Sequence, residues 1–206
     1  MKIAVLLLAA ACAQAADTTA WTPLFDGKSL DGWKETQFTG RGNVEVRDGA
    51  IHLGRGRMTG VTLTRDFPRS GYEIRFEAAR IEGKDFFAGI TFPAGDSHCT
   101  WTSGGWDGAM VGLSNVDGYD ASENETSNAR DFEQGRWYRF RLRVTAARIE
   151  AWIDDSLVIE LELSHHKVSL RFDETDLMTP LGFASYATRG AVRNIEYRRV
   201  TEASGP

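Results

Sequence analysis

The chain has 206 residues, 24 Lys and Arg against 29 Asp and Glu, and a formal net charge of -5. That acidic balance excludes a phosphate-tracking nucleic-acid binder, which needs a basic excess or a basic stripe. With 42% hydrophobic and 26% charged residues the composition is that of a folded domain rather than a disordered chain. No interior segment reaches the roughly 18 apolar residues that span a bilayer.

Lys2, the apolar stretch 3–12 and Ala13-Gln14-Ala15 read as a secretion signal over residues 1–15. The protein is therefore expected to be exported, to the periplasm or the medium. A lipid anchor at Cys12 is the alternative, but Leu8 stands one place too far upstream for a good attachment motif. With the signal removed, Cys99 is the remaining cysteine and no internal disulfide can form. Stability must then come from core burial.

A polar loop around Trp33 occupies residues 28–42. After it the apolar period is two. Residues 43–47 and 50–54 flank Asp48-Gly49, a pair suited to a two-residue hairpin turn because Gly tolerates positive φ. Tyr72, Ile74, Phe76 and Ala78 alternate with Glu73, Arg75, Glu77 and Ala79. The same alternation runs through 139–144, through 149–154 before a turn at Asp154-Asp155, and through 157–163. Leu157, Ile159, Leu161 and Leu163 are placed on one face of the last of these strands. A side chain facing the core at every second residue is the mark of a half-buried strand, so the chain reads as all-β. Many short strands with Gly-rich turns imply a sandwich or barrel. Residues 115–135 interrupt the pattern as a long polar loop with an aromatic at each end, Tyr119 and Phe132. A loop of that length in a compact domain is usually functional or disordered.

Leu24-Phe25-Asp26-Gly27-Lys28-Ser29-Leu30-Asp31-Gly32-Trp33, the Val46–Ile51 stretch, Leu181–Tyr186 and Val192–Tyr197 occur in a telling order and spacing. Together they resemble the 3-keto-disaccharide hydrolase domain family over about residues 21–200, as a single domain. The resemblance implies a concanavalin A-like jelly-roll sandwich of two antiparallel sheets. It also implies action on glycosides whose C3 hydroxyl has been oxidised to a ketone. Residues 86–92, 96–101, 104–106 and 122–126 depart from the family's common central strands, so no active-site residue is carried over.

The chemistry implied needs a general base for the C2 proton, a positive or hydrogen-bonding group for the enolate oxygen, and an acid for the leaving group. His98 is the first candidate: on a strand, Asp96, His98 and Thr100 share a face, and Asp96 would set the imidazole tautomer. Glu123 and Glu125 are the second. If extended, they point to one side, and mutual crowding separates them into an acid and a base. With Asp120 they would also suit a divalent cation such as Ca²⁺. Asn124 lies between them. The tryptophans are the third, as flat faces for a sugar ring: Trp101 and Trp106 flank a hairpin expected at Gly104-Gly105, and Trp152 falls on the polar side of its strand. Trp21, Trp33 and Trp137 are assigned to the core or its rim. Arg136, Arg139, Arg141 and Arg143 are read as a charge ladder with Glu150, Glu160 and Glu162.

Two functions fit these residues. One is cleavage of 3-keto glycosides with His98, Asp120, Glu123 and Glu125 as catalytic groups, and Asp96, Trp101, Trp106, Asn124 and Trp152 as substrate contacts. The other is a non-catalytic carbohydrate-binding module of the cell envelope. In both, the partner is a carbohydrate, and the sequence specifies no oligomeric state.

Overall fold

The computed structural model describes residues 20–201. The expected signal segment and Cys12 lie outside the described residues. Among the described residues the strands are β1 (Thr22–Pro23), β2 (Trp33–Glu35), β3 (Val44–Arg47), β4 (Ala50–Leu53), β5 (Met58–Leu63), β6 (Tyr72–Glu82), β7 (Gly89–Ala94) and β8 (Ser97–Gly105). They continue as β9 (Met110–Ser114), β10 (Asn128–Ala129), β11 (Trp137–Val144), β12 (Arg148–Ile153), β13 (Ser156–Glu162), β14 (Gly182–Tyr186) and β15 (Arg189–Arg199). A short 3₁₀ turn, η1 (Glu174–Met178), precedes β14.

The strands form two antiparallel sheets. One runs β13-β12-β11-β6-β15-β4-β3, with β1 added beside β15, and has eight strands. The other runs β10-β9-β8-β7-β14-β5-β2 and has seven. Sequence neighbours pair as hairpins while β14, β15 and β6 cross between distant partners, and the two sheets stack as a jelly-roll sandwich.

The alternation read from the sequence sets the interior. Tyr72, Ile74, Phe76 and Ala78 of β6 point inward with Tyr138, Phe140, Leu142 and Val144 of β11 and Ile149, Ala151 and Ile153 of β12. Facing them from the second sheet are Ile90, Phe92, Cys99, Trp101, Val111, Leu113 and Phe183. Phe76 and Phe140 stack at 4.9 Å with planes 6° apart, and Phe183 meets Phe76 edge-on at 4.9 Å. Such pairs add about 0.5–1.5 kcal/mol beyond the area they bury. Cys99 is buried among them, and loss of solvation pushes its thiol up to about 12.

The turns follow the expected chemistry. Asp48 and Gly49 both have positive φ, 52° and 76°, and join β3 to β4 as a two-residue hairpin. Asp154, at φ 54°, turns β12 into β13. β13 departs from strict alternation. A register shift at Ala151/Trp152 opposes Ala151 to Ile159 but Trp152 to Leu157. The extra residue flips the start of the strand, so Ile159 and Leu161 are buried and Leu157 is 47% exposed.

The outer face of the eight-stranded sheet is a dense charge ladder; Arg143 meets Glu150 as expected, and the other pairs differ from those expected. Glu73, fully buried, faces Arg141, Arg143 and Arg198. Arg143 also reaches Glu150, Arg148 pairs with Glu160 and Glu162, and Arg139 pairs with Asp155. The outer face of the seven-stranded sheet is half covered. Residues 28–42 are not all loop, since β2 lies within them; Phe38, just after β2, forms a small apolar cluster there with Met58, Ala184 and Met178 of η1. What they leave uncovered is the site described next.

Candidate functional site

Pleating sends Cys99, Trp101 and Ser103 of β8 inward and Thr100 and Thr102 outward. Ser114 pairs across from Thr100 at the end of β9. These three hydroxyls, with Gly89 and Met58, form the floor of a cavity of about 420 Å³. That size lies within the roughly 300–1,000 Å³ typical of small-molecule sites. A side chain at Gly89 would press on the Phe86 ring at 3.2 Å, so glycine is what lets Phe86 lie across β7. Phe86 in turn stacks on Tyr186 at 5.8 Å. Arg57, Asp85, Trp106, Arg171, Phe172, Asp173 and Glu174 complete the wall.

Trp106 stands on the β8–β9 turn, which the Gly108 amide closes by donating to the Gly105 carbonyl at 3.1 Å. Trp106 and Asp107 both adopt left-handed backbone, φ 45° and 65°. For non-glycine residues this costs on the order of 1–2 kcal/mol each. The indole is 42% exposed toward the cavity. The expected hairpin is thus present, but its turn is residues 106–109, and Gly104-Gly105 still belong to β8.

Asp85 is half-buried beside that turn. Its amide donates to Thr188 Oγ1 at 2.9 Å, and its Oδ1 accepts from the Phe86 amide at 2.8 Å. Burial raises its carboxyl pKa and the charge of Asp107 adds to the rise, against the opposing Phe86 bond and Arg80. A carboxylate made more basic in this way suits proton abstraction.

Arg171 is the cation at the Ser114 end. Asp120 holds it: Oδ2 lies 2.6 Å from the guanidinium, while Oδ1 accepts from Ser114 Oγ at 2.5 Å and from the Ala121 amide at 2.7 Å. Asp120 is therefore attached to the cavity from behind. Glu174 is engaged by Thr39, whose hydroxyl and amide lower its carboxyl pKa. Asp173 accepts from the Thr175 amide and caps η1.

The other sequence candidates are dispersed. His98 faces the same way as Thr100 but lies one pleat beyond the cavity, which it does not line. Its Nε2 is buried without a hydrogen-bond partner, and burial, then Arg69, lower its pKa. Asp96 is not on the strand face beside it; it sits exposed in the Gly95–Asp96 turn. Glu123 and Glu125 do not converge, because 120–126 is a series of turns rather than an extended run. Glu123 is exposed, whereas Glu125 lies 3.1 Å from His166 Nε2, whose Nδ1 is 2.7 Å from Asp117. The three carboxylates read as a cation set thus turn to separate surroundings. Among the described residues no group of three or more His, Cys, Asp or Glu is disposed to hold a metal ion.

Asn124 is a brace, not a sugar contact. Its Nδ2 donates to the Leu113, Tyr119 and Asp120 carbonyls, and its Oδ1 accepts from the amide and hydroxyl of Thr126. These bonds shape the long loop, which Phe132 also anchors from within the core while Tyr119 stays 60% exposed. Trp101 is fully buried against Phe140 and presents no face to a ligand. Trp152 lies on the outer face of the opposite sheet, covered by the Arg141 guanidinium at 3.7 Å from its ring. Of the tryptophans named as sugar platforms, Trp106 lines the cavity.

Sequence reasoning missed Asp85, Arg57, Arg171 and Tyr186. A usable signal existed for Asp85: a lone carboxylate between two strands, followed at once by Phe86-Phe87.

Residues 20–199 match the model of a protein family described as the 3-keto-alpha-glucoside-1,2-lyase-like domain. No curated protein matches the sequence. Among solved structures, the Crh5 transglycosylase in complex with NAG is similar at a TM-score of 0.61 and 16% identity, over 91% of this chain and 86% of that one. A proposed glycosyl hydrolase from Parabacteroides distasonis is similar at 0.57 and 13%, over 88% and 94%. The carbohydrate-binding module CBM66 of Bacillus subtilis is similar at 0.56 and 10%, over 81% and 95%. At such identities the likeness shows a shared fold.

Proposed function

Since the chain belongs to the 3-keto-alpha-glucoside-1,2-lyase-like family, we propose that it cleaves glycosides carrying a ketone at C3. The observation that carries this reading is the meeting of Asp85, Arg171 and Trp106 in one cavity on the open half of the seven-stranded sheet.

The ketone acidifies the C2 proton, and the Asp85 carboxylate removes it. The electron pair left on C2 spreads onto the ketone oxygen, where the Arg171 guanidinium offsets the charge. The pair then forms the C1–C2 double bond as the C1–O bond breaks, and the aglycone oxygen takes a proton from Asp85 or water. Adding water across that bond returns hydrogen to C2 and places a hydroxyl on C1, which completes a net hydrolysis. Trp106 offers its ring to the C–H face of the sugar, and Thr100, Thr102 and Ser114 supply hydroxyls beneath it. Export, read from residues 1–15, would put this chemistry outside the cytoplasm.

The test is aglycone release from 3-keto glucosides and 3-keto-trehalose by the purified protein. D85N should still bind these sugars but not turn them over. A second reading, a carbohydrate-binding module, is favoured by the exposed aromatics Trp106, Phe172 and Tyr186 around the same cavity. It predicts saccharide affinity without turnover in the parent protein, lost in W106A and unchanged in D85N.

A further inference from the structure

The alternation of β6 ends on an anomaly. Tyr72, Ile74, Phe76 and Ala78 face the core, and the next inward position is Arg80, 6% exposed. Burial lowers the pKa of its guanidinium. A charge withdrawn from water in this way is tolerated only when hydrogen bonds satisfy it. Its partners are concentrated in one place: Nη2 donates to the Gly108 carbonyl at 2.6 Å and to the Gly104 carbonyl at 3.3 Å. Nη1 reaches the Phe132 carbonyl at 3.5 Å, the rings of Phe87 and Phe132 lie 5.2 and 5.7 Å from the guanidinium carbon, and Nε is buried without a hydrogen-bond partner, so the satisfied end of the group is the one at the turn.

Gly104, at a register shift near the end of β8, and Gly108 flank the turn that carries Trp106. Gly104, Trp106, Asp107 and Gly108 all have positive φ. A side chain at Gly108 would come within 3.2 Å of the Arg80 guanidinium, so glycine there lets the cation approach the carbonyl. The turn holds its bulky residue in an unfavourable backbone region, and such conformations persist where surrounding contacts over-determine them. The guanidinium, bonded on both sides of Trp106, supplies such contacts.

We propose that Arg80 is a positioning residue for the cavity: it clamps the 104–108 segment at both ends, so that Trp106 stands in the wall before a ligand arrives. The inference rests on the reading of Trp106 as the face on which the sugar lies. Presetting the turn removes an ordering cost from binding. Because Trp106 would contact the sugar in the ground state and the transition state alike, the effect belongs in KM rather than kcat.

The experiment compares the full-length parent, R80K, R80M, W106A and W106A/R80M. It measures kcat and KM for methyl 3-keto-glucoside, melting temperature, and acrylamide quenching of Trp106, taken as the difference from matching W106F proteins. In R80M, at a pH where Asp85 is ionised in both proteins, KM should rise roughly tenfold, with kcat within about twofold of the parent. Quenching of Trp106 should increase, and R80K should recover part of both effects. In the W106A background R80M should change KM by less than about twofold, as expected where one residue acts through the other. A lower melting temperature with unchanged KM and unchanged quenching would overturn the clamp. So would an equal rise in KM with and without Trp106. If W106A itself leaves KM unaltered the platform reading fails, if no protein turns over sugar the cleavage reading fails, and in both cases the quenching result still decides the clamp. Should R80M not fold, R80K is measured in its place.

Discussion

The two outer faces of the sandwich use the same residue types to opposite ends. On the eight-stranded sheet each tryptophan is covered by a guanidinium: Trp21 by Arg75, Trp137 by Arg193, Trp152 by Arg141. Its carboxylates are taken up by neighbouring arginines, with Glu73 at the centre. On the seven-stranded sheet Trp106 is half exposed, Asp85 lies beside another carboxylate, and three hydroxyls line an open floor. The first face pairs its charges with one another. The second also engages Ser114 and Arg171 through Asp120, and Thr100 through Thr91, but leaves the Trp106 ring and the Asp85 carboxylate without a covering cation, and the site is distinguished by that difference rather than by its amino acids.

Six substitutions sharpen the contrast. D85N should lower kcat on a 3-keto glucoside by about 10²–10⁴-fold, the usual worth of a general base, with little change in sugar binding. The pH profile gives a finer reading. Asp85 must be ionised to act, so kcat/KM should fall as pH drops through its raised pKa; D107N removes a charge that raises it and should move this limb to lower pH. An unmoved limb would take Asp107 out of the account.

E73Q strikes the self-paired face. Removing the buried partner of three arginines should destabilise the protein by roughly 3 kcal/mol, read from denaturant unfolding, with KM unchanged. A raised KM would mean that the two faces are coupled.

W106A should raise KM about tenfold, whereas W152A, whose ring is already occupied by Arg141, should leave it unchanged. Equal effects would erase the distinction between the faces.

The smallest effect concerns His166, which the side chain of Asp117 and then the charge of Glu125 hold above its ordinary value of 6.5. A raised folded-state pKa stabilises most below the unfolded value, and the gain disappears as pH rises through the folded one. H166Q should therefore lower the melting temperature slightly at pH 5.5 and not at pH 9. The same loss at both values would mean that the charge plays no part.

The sequence made the sandwich legible because period two needs only local information. Tyr72 to Ala78, the Asp48-Gly49 hairpin and the Asp154 turn all appear where they are expected. It misled where one residue was miscounted. Asp96 belongs to a turn, not to the His98 strand, and a bulge after Ala151 exposes Leu157. Alternation also gives two faces without saying which is inside, so Trp101 passed for a platform although it shares the core-facing side with Cys99. The cavity was less legible still. The strand of Thr100 was foreseen, but those of Met58 and Ser114 were not, and Asp85, Arg171 and Tyr186 arrive from segments far apart in the chain that meet at one rim.

The burial of Cys99 has a practical corollary. Alkylating reagents attack the thiolate, and a sulfur pushed to about 12 in the sealed interior offers almost none at pH 8. Unfolding would expose it and restore its ordinary reactivity. In protein without residues 1–15, and so without Cys12, the time course of iodoacetamide labelling would then act as a stopwatch for opening of the sandwich, with the molecule carrying its own reporter.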